Sequence, residues 1–399
     1  MMRGTLLFLV AGLALAAGEK VRYDDYRVYR VLPADVDQLQ FLNGLARYHS
    51  DIRFWKESRA VNMPADIMVS PKMQPTFLEW LQAHSITASV FIENVQYLID
   101  NERPASVVRA DFALDDYHTL EEIFAWIDSL VQAYPDYTRR VFGGTTYEGF
   151  EFDGIEISYG DGSRVVILEG GMHPRDWAAT ACMNWFINEI LTTNDTDVRD
   201  VISQFVFMIY PTSNLDGYNY TWNTKYERYR LLAEDGTSED FCADNYPGPV
   251  AFSEYETATF AKTLTGYDSG VLVFYGSFHA YGQMILFPYG VPDEVATNHD
   301  ELLEMAERAR DALAARYGTN YTVGTVQDLL YPTSGTSIDW MQGVNGNQYN
   351  FAWELRDEGQ YGFLLPADQI VPTCQEAFDS LVSILQDVLT NSRKSSRKH

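Results

Sequence analysis

A histidine and an aspartate three residues apart are the first side chains in the chain that could share a metal ion. His173 and Asp176 lie in the segment Gly170–Trp177, between an apolar stretch predicted to be a strand and a predicted helix. Imidazole and carboxylate are normal zinc ligands, and ligands of open α/β sheets bind at the carboxyl ends of strands. On its own, such a pair is more often a chance feature of a loop than a metal site.

Two more candidates follow predicted strands further along the chain. His279 comes after the apolar run Val271–Tyr275, where a single histidine could equally be a core residue. Glu354 ends an aromatic-rich strand and is either a general base or half of an ion pair with Arg356. Together, two histidines, a nearby carboxylate and a separate glutamate are the residues that a catalytic zinc site with an open position requires.

Alternating strands and helices must position these residues. Short apolar strands interleaved with amphipathic helices predict an α/β sheet covered on both faces. The predicted strands are Val165–Leu168, Phe205–Tyr210, Val271–Tyr275 and Tyr349–Trp353, and the predicted helices are Trp177–Thr192, Glu301–Arg316 and Gln375–Leu389. A helix start is also predicted at Thr119, because Glu122 stands at the capping-box position.

The preceding 80 or so residues have a different order, β-α-β-β-α-β, which suits a small open two-layer sandwich. The predicted elements are strand Tyr26–Val31, helix Val36–Tyr48, strands Arg53–Trp55 and Asp66–Val69, helix Gln74–Ala83 and strand Ile86–Ile92. We therefore expect a small N-terminal domain ahead of a larger one.

The N-terminus has the pattern of an export signal. Arg3 precedes the apolar run Leu6–Leu15, and Ala14-Leu15-Ala16 forms a small-residue cleavage site. The run is too short to span a hydrocarbon core of about 30 Å. We predict a signal peptide over residues 1–16 and a secreted, extracellular protein with no membrane segment.

Charge and cysteine content narrow the expectations further. The formal net charge is −27, which argues against nucleic acid and anionic membranes as partners, because both need a basic face. The three cysteines are an odd number, so at least one thiol is free or paired between chains. Cys182 lies in an apolar helical run and is expected to be a core packing residue. The basic end of the chain, residues 391–399, is expected to be disordered.

Eight short sequence motifs, in this order along the chain, are shared with a known protein family. They are Thr119–Ile123, Tyr147–Gly149, Gly171–Trp177, Asn214–Trp222, Ser277–Tyr281, Phe287–Gly290, Tyr331 with Ser334–Trp340, and Glu354–Asp357 with Tyr361–Pro366. In these motifs and in their order the chain resembles the zinc metallocarboxypeptidases, in particular digestive procarboxypeptidases of the pancreatic carboxypeptidase A type.

The resemblance implies an eight-stranded mixed sheet with helices on both faces, preceded by a small ferredoxin-like α/β open-sandwich pro-domain. It implies an inhibitory pro-segment over residues 17–109, an enzyme domain over 110–390, and activation by a trypsin-like protease that cuts after Arg109. The expected product is a monomer that acts on the C-termini of peptides or proteins.

The resemblance also assigns site residues. His173, Asp176 and His279 match the ligands of one zinc ion, and Glu354 matches the base that activates water. Four further positions match substrate contacts whose uncharged side chains predict aromatic or aliphatic C-terminal residues: Ile338, Leu286, Gly290 and Val326. Tyr331 matches a mobile tyrosine that closes over the substrate's C-terminus, and Arg175 matches a substrate-contacting arginine.

Three departures from the family pattern leave two hypotheses open. Asp176 stands where the family has glutamate, and its shorter arm is expected to weaken zinc binding. An Asn-Arg pair that grips the substrate carboxylate is missing after Cys242, and an arginine run is compressed so that Arg230, with Arg228 as the alternative, matches the residue that polarises the scissile carbonyl. The chain is therefore either a zinc carboxypeptidase with altered or reduced activity, or a catalytically silent relative that binds peptides or proteins.

Overall fold

Two β-sheets organise the chain. The structure is a computed structural model that describes residues 22–58, 60–102, 112–159, 164–223, 249–267 and 270–396. The N-terminal part consists of β1 Arg27–Val31, α1 Val36–Tyr48, β2 Ile52–Lys56, β3 Ala65–Val69, α2 Gln74–Ala83, β4 Ala88–Ile92 and α3 Val95–Glu102. This is the predicted β-α-β-β-α-β order, with α3 as an additional helix. The predicted signal peptide lies outside the described residues.

The four-stranded N-terminal sheet has the order β2-β3-β1-β4 with antiparallel neighbours. Its two faces belong to different cores because successive side chains of a strand point in opposite directions. Tyr29 of β1 packs in a core with Leu42 of α1 and Phe77 of α2. Val28 and Met68 instead belong to the core of the second domain. The sheet is thus buried between its own helices and the larger domain.

The second domain contains the remaining elements: α4 Leu120–Ala133, β5 Thr138–Thr145, β6 Glu151–Ser158, β7 Val165–Gly170, α5 Trp177–Thr192, α6 Thr196–Ile202, β8 Val206–Tyr210, α7 Leu215–Asn223, α8 Tyr255–Leu264, β9 Leu272–Ala280, β10 Met284–Phe287, α9 His299–Tyr317, β11 Thr322–Thr325, α10 Val326–Leu329, α11 Ser337–Trp340, a π-helix Met341–Asn345, β12 Asn350–Leu355, a short 3-10 helix Ala367–Gln369 and α12 Ile370–Ser396. In the described ranges, no helix is both long and apolar enough for a membrane span.

The large sheet confirms the eight-stranded mixed architecture. Its order is β11-β10-β12-β9-β7-β8-β6-β5. The central strands β12, β9, β7 and β8 are parallel neighbours, and antiparallel pairs flank them. Every residue of β7 and β8 is buried, as expected for parallel strands covered on both faces. The predicted helix start is also confirmed, since Thr119 and Glu122 form a reciprocal capping box.

Two sequence expectations need correction near the C-terminus. Cys182 of α5 is buried as expected, but it forms a disulfide with Cys374 of α12 rather than standing as a simple packing residue. The helix α12 also continues to Ser396, so the tail expected to be disordered from residue 391 is helical through that residue. Cys242 lies outside the described residues.

Candidate metal centre and its surroundings

The order of the central strands brings the candidate metal ligands and Glu354 close together. Because β12, β9 and β7 are adjacent and parallel, their carboxyl ends meet at one edge of the sheet. His279 of β9 and Glu354 of β12 are register partners, and His173 follows β7 by three residues. The turn after β7 requires Gly171, whose φ is +61° and where a Cβ would lie 2.5 Å from the Thr212 hydroxyl.

The candidate ligand atoms have the spacing of a zinc site. The Nδ1 atoms of His173 and His279 are 3.2 Å apart, and each lies 3.4 Å from Oδ2 of Asp176. Zinc bonds of about 2.0–2.1 Å in tetrahedral geometry place neighbouring ligand atoms roughly 3.3–3.4 Å apart. The three observed separations fit this triangle, and the aspartate reaches it because it directly precedes the first residue of α5.

The burial of Asp176 also fits a cation. Its side chain is 1% exposed, and neither carboxylate oxygen forms a conventional hydrogen bond with a described residue. Burial alone would raise the pKa of this carboxyl, but the rings of His173 and His279 hold the pKa at about 2. An ionised carboxylate whose close polar neighbours are two imidazole rings at 3.4 Å is costly to bury, and a bound cation offsets that cost.

The hydrogen-bonding partner of His279 was not predicted from the sequence. Its Nε2 atom lies 2.8 Å from the hydroxyl of Ser277. Both residues lie within β9, which runs to Ala280 and not only to the predicted end at Tyr275. Residues two apart on a strand share a face, so the Ser-x-His spacing would have revealed this contact once the strand was extended.

Three of the predicted substrate and catalytic residues border the same space. Glu354, Arg175 and Tyr331 line a cavity of ≈ 230 Å³ together with His173 and Asp176. The guanidinium of Arg175 also lies 4.0 Å from the centre of the Phe363 ring.

The interpretation of Glu354 as an ion-pair partner of Arg356 is not favoured by the contacts. Arg356 donates to both carboxylate oxygens of Glu376 on α12 and to the Thr319 hydroxyl. The guanidinium of Arg356 is therefore paired with a carboxylate of α12. Glu354 lines the cavity together with His173 and Asp176, and its role as the general base stays a prediction.

The four uncharged residues that are predicted to contact the substrate are buried but do not line that cavity. Leu286, Val326 and Ile338 are between 2% and 4% exposed. A Cβ on Gly290 would lie 3.1 Å from Val326 and 2.1 Å from the hydroxyl of Thr333, so a larger residue does not fit there.

The N-terminal domain covers the cavity. Trp55, Lys56, Glu57, Met63 and Pro64, from β2 and the connection to β3, line it from above the metal centre. The cavity that holds the candidate metal ligands is thus lined by residues of both domains.

The covering contact is close. The segment that bears Phe363 packs against Trp55, and a Cβ on Gly362 would lie 2.6 Å from the Trp55 indole nitrogen. Nearby, Arg30 forms a bidentate ion pair with Asp66 and lies 3.6 Å from the centre of the Phe91 ring.

Several predicted residues lie outside the described ranges. Arg109 is among residues 103–111, and Arg228, Arg230 and Cys242 are among residues 224–248. Their assignments remain predictions from the sequence.

Comparison with known proteins defines the family. Residues 123–380 match the zinc carboxypeptidase family, and residues 29–102 match the carboxypeptidase activation peptide. The chain is 36% identical over 410 residues to zinc carboxypeptidase A 1 of Anopheles gambiae, covering 96% of this chain and 94% of that protein. It is 30% identical over 422 residues to human carboxypeptidase A5, covering 98% and 96%.

Solved structures of related proteins have the same fold. The crystal structure of thrombin activatable fibrinolysis inhibitor superimposes with a TM-score of 0.84 at 27% identity, covering 92% of this chain and all of that one. Carboxypeptidase A from Helicoverpa armigera has a TM-score of 0.79 at 22% identity and shares the fold. The chain belongs to the zinc carboxypeptidase family and carries the family's activation peptide.

Proposed function

We propose that the chain is the secreted zymogen of a zinc exopeptidase that removes aromatic or aliphatic residues from the C-termini of peptides. The observation that carries the proposal is the triangle of ligand atoms at 3.2–3.4 Å, formed by His173, Asp176 and His279 beside Glu354. A silent relative has no chemical need to keep two histidines and a buried aspartate at this spacing.

His173, Asp176 and His279 would hold one zinc ion and leave its fourth position open. When bound, zinc supplies Lewis acidity toward a water molecule and toward the carbonyl oxygen of the scissile bond. Glu354 takes a proton from the attacking water on a carboxylate oxygen and passes it to the nitrogen of the leaving amine. Its position beside His279 in the sheet gives it access to the same space.

Substrate selection is assigned to four uncharged residues and to the residues beside the metal centre. Leu286, Gly290, Val326 and Ile338 present no charge, which favours apolar C-terminal side chains. Tyr331 and Arg175 line the cavity and would contact the bound peptide.

The anchor for the substrate's carboxylate is the weak point of this enzyme. No arginine occurs in residues 231–307, and planar bidentate capture of a carboxylate is an arginine task. Arg230, with Arg228 as the alternative, is proposed only for the scissile carbonyl. We therefore expect a high KM for short peptides and a weak preference for a free C-terminus.

The N-terminal domain keeps the precursor latent. Trp55 and its neighbours line the cavity of the metal centre, so removal of this domain by a trypsin-like protease would open that cavity. The predicted signal peptide over residues 1–16 supports secretion, and we propose a monomer.

The test is release of the C-terminal residue from matched peptides that end in phenylalanine or lysine, by the cleaved protein loaded with zinc. We expect phenylalanine release above lysine release, and none from Glu354→Gln, which keeps the size of the side chain but removes the base. Equal and negligible release by wild type and Glu354→Gln, together with peptide binding by both, would show that the chain is the silent binding relative.

A further inference from the structure

Behind the metal centre, Glu169 is a buried carboxylate that the proposed reaction does not use. It lies in β7 and is 0% exposed. It accepts hydrogen bonds from three hydroxyls: Ser213 at 2.8 Å, Tyr275 at 3.2 Å and Ser277 in a short contact. Among the described residues, its polar partners are therefore hydroxyl groups rather than cations.

The register of the sheet connects this carboxylate to a candidate ligand. Glu169 of β7 stands opposite Ser277 of β9. Tyr275, Ser277 and His279 are two residues apart along β9, so their side chains share a face. The Ser277 hydroxyl therefore reaches Glu169 on one side and Nε2 of His279, at 2.8 Å, on the other.

We propose that Glu169 acts through Ser277 as a positioning residue that fixes the tautomer and the orientation of His279. This inference rests on the proposed function, in which Nδ1 of His279 binds zinc. An ionised carboxylate only accepts hydrogen bonds, so the single hydrogen of Ser277 is directed to Glu169. The Ser277 oxygen is then an acceptor, and Nε2 of His279 must carry the imidazole hydrogen. The lone pair of Nδ1 consequently faces His173 and Asp176.

The charge of Glu169 has a function in this arrangement that packing alone does not explain. A buried carboxylate is costly, and the three hydroxyls offset only part of that cost. Burial raises the pKa of the Tyr275 phenol well above its usual range, so this group remains a donor. A negative charge behind Ser277 polarises its hydroxyl and strengthens the hydrogen bond that the Ser277 oxygen accepts from Nε2 of His279, and outer partners of this kind orient metal ligands.

A pair of serine variants isolates the connection. Ser277→Ala removes the bridge, whereas Ser213→Ala removes an equivalent hydroxyl from the same carboxylate without contacting His279. The zinc dissociation constant of the full-length chain is measured by competition with a chromophoric chelator. Loss of such outer partners typically weakens metal binding about 10–100-fold. We expect a loss in this range for Ser277→Ala, and a change of less than about threefold for Ser213→Ala, since the latter leaves the bridge intact.

Two further measurements distinguish positioning from packing. Nitrogen-15 NMR of the zinc-free protein should show His279 protonated on Nε2 in the wild type and a mixture of tautomers in Ser277→Ala. Glu169→Gln keeps an acceptor oxygen for Ser277 but removes the charge, and it should weaken zinc binding by an intermediate factor. If Ser277→Ala does not fold, the zinc affinity of Glu169→Gln tests the proposal instead.

Each outcome is decisive. Equal zinc affinity in wild type, Ser277→Ala and Glu169→Gln, with only lowered melting temperatures of the zinc-free proteins, would overturn the positioning role and leave the proposed function intact. A wild-type chain that binds no zinc would overturn both. Weaker binding in Ser213→Ala equal to that in Ser277→Ala would assign the effect to general disturbance of the core.

Discussion

At the scale of single residues, the length of one side chain decides how well the metal centre is formed. Asp176 is one methylene shorter than glutamate, yet its Oδ2 atom is 3.4 Å from both histidine nitrogens. Asp176 directly precedes α5, in the segment that follows the positive-φ residue Gly171. The observed separations show that the shorter side chain reaches both histidines, and the strength of zinc binding by this aspartate stays a prediction.

This geometry predicts that Asp176→Glu will not tighten zinc binding. The added methylene extends the carboxylate by about 1.5 Å into a triangle whose separations already fit zinc. Asp176→Asn is the matched control, because a neutral amide keeps the shape but lacks the charge; it should lose zinc during dialysis. Elemental analysis and chelator competition measure both. A tenfold tighter Asp176→Glu would show that the backbone lies too far from the metal.

The sequence identified the residues of the candidate metal centre, but it did not identify the residues proposed to hold His279 in place. His173, His279 and Glu354 could be chosen because each follows an apolar strand. Glu169 and Ser277 also follow predicted strands, but nothing in either segment indicated that these two side chains meet. Only the register of two strands that are distant in sequence brings them together.

At the scale of helices and strands, the sequence predicted the ends of an element where a local start or stop signal is present. The helices α1, α2 and α5 have the predicted bounds, and α4 begins at its predicted capping box. The ends of β9 and α12 were wrong because neither has a local stop signal. β9 continues through polar residues that face the site, and α12 continues past residue 389 into a basic segment. Tertiary contacts, rather than propensity, determine such ends.

The disulfide between α5 and α12 links two helices of the larger domain. It joins residues 192 apart in sequence, and a bridge that closes so long a loop removes much entropy from the unfolded chain. Replacing both Cys182 and Cys374 with alanine should lower the free energy of unfolding by about 2–5 kcal/mol. Chemical denaturation of the zinc-free protein measures it. The control is Cys242→Ala, which should leave stability unchanged; an unchanged double variant would contradict the assigned pairing.

At the scale of the whole molecule, the two domains share one core. Val28, Met68 and Ile92 of the N-terminal sheet pack in the same cluster as the enzyme domain. Trp55 is 2% exposed and rests against the segment that holds Phe363. The order of the predicted elements led to the expectation of a small N-terminal domain ahead of a larger one. It could not predict this docking, because the contacts join residues hundreds of positions apart.

The docking makes limited proteolysis the sharpest test of the assembly. The helix α3 ends at Glu102 and α4 begins at Leu120, so the connection between them includes both Arg103 and Arg109. Proline follows Arg103, which makes that bond a poor substrate for trypsin. Mild trypsin should therefore cut after Arg109 first, and sequencing of the large fragment should begin at Ala110.

Activation should follow that cut because the metal centre lies under Trp55 and Pro64. Arg109→Gln should remain latent after mild trypsin, whereas Arg103→Gln, the same change six residues earlier, should activate like the wild type. After cleavage the N-terminal domain still has its contacts with the enzyme domain, so peptide hydrolysis should appear only as it dissociates or is digested further. Full activity of the uncut chain, or a first cut within the described sheet β2-β3-β1-β4, would contradict a covering role for this domain.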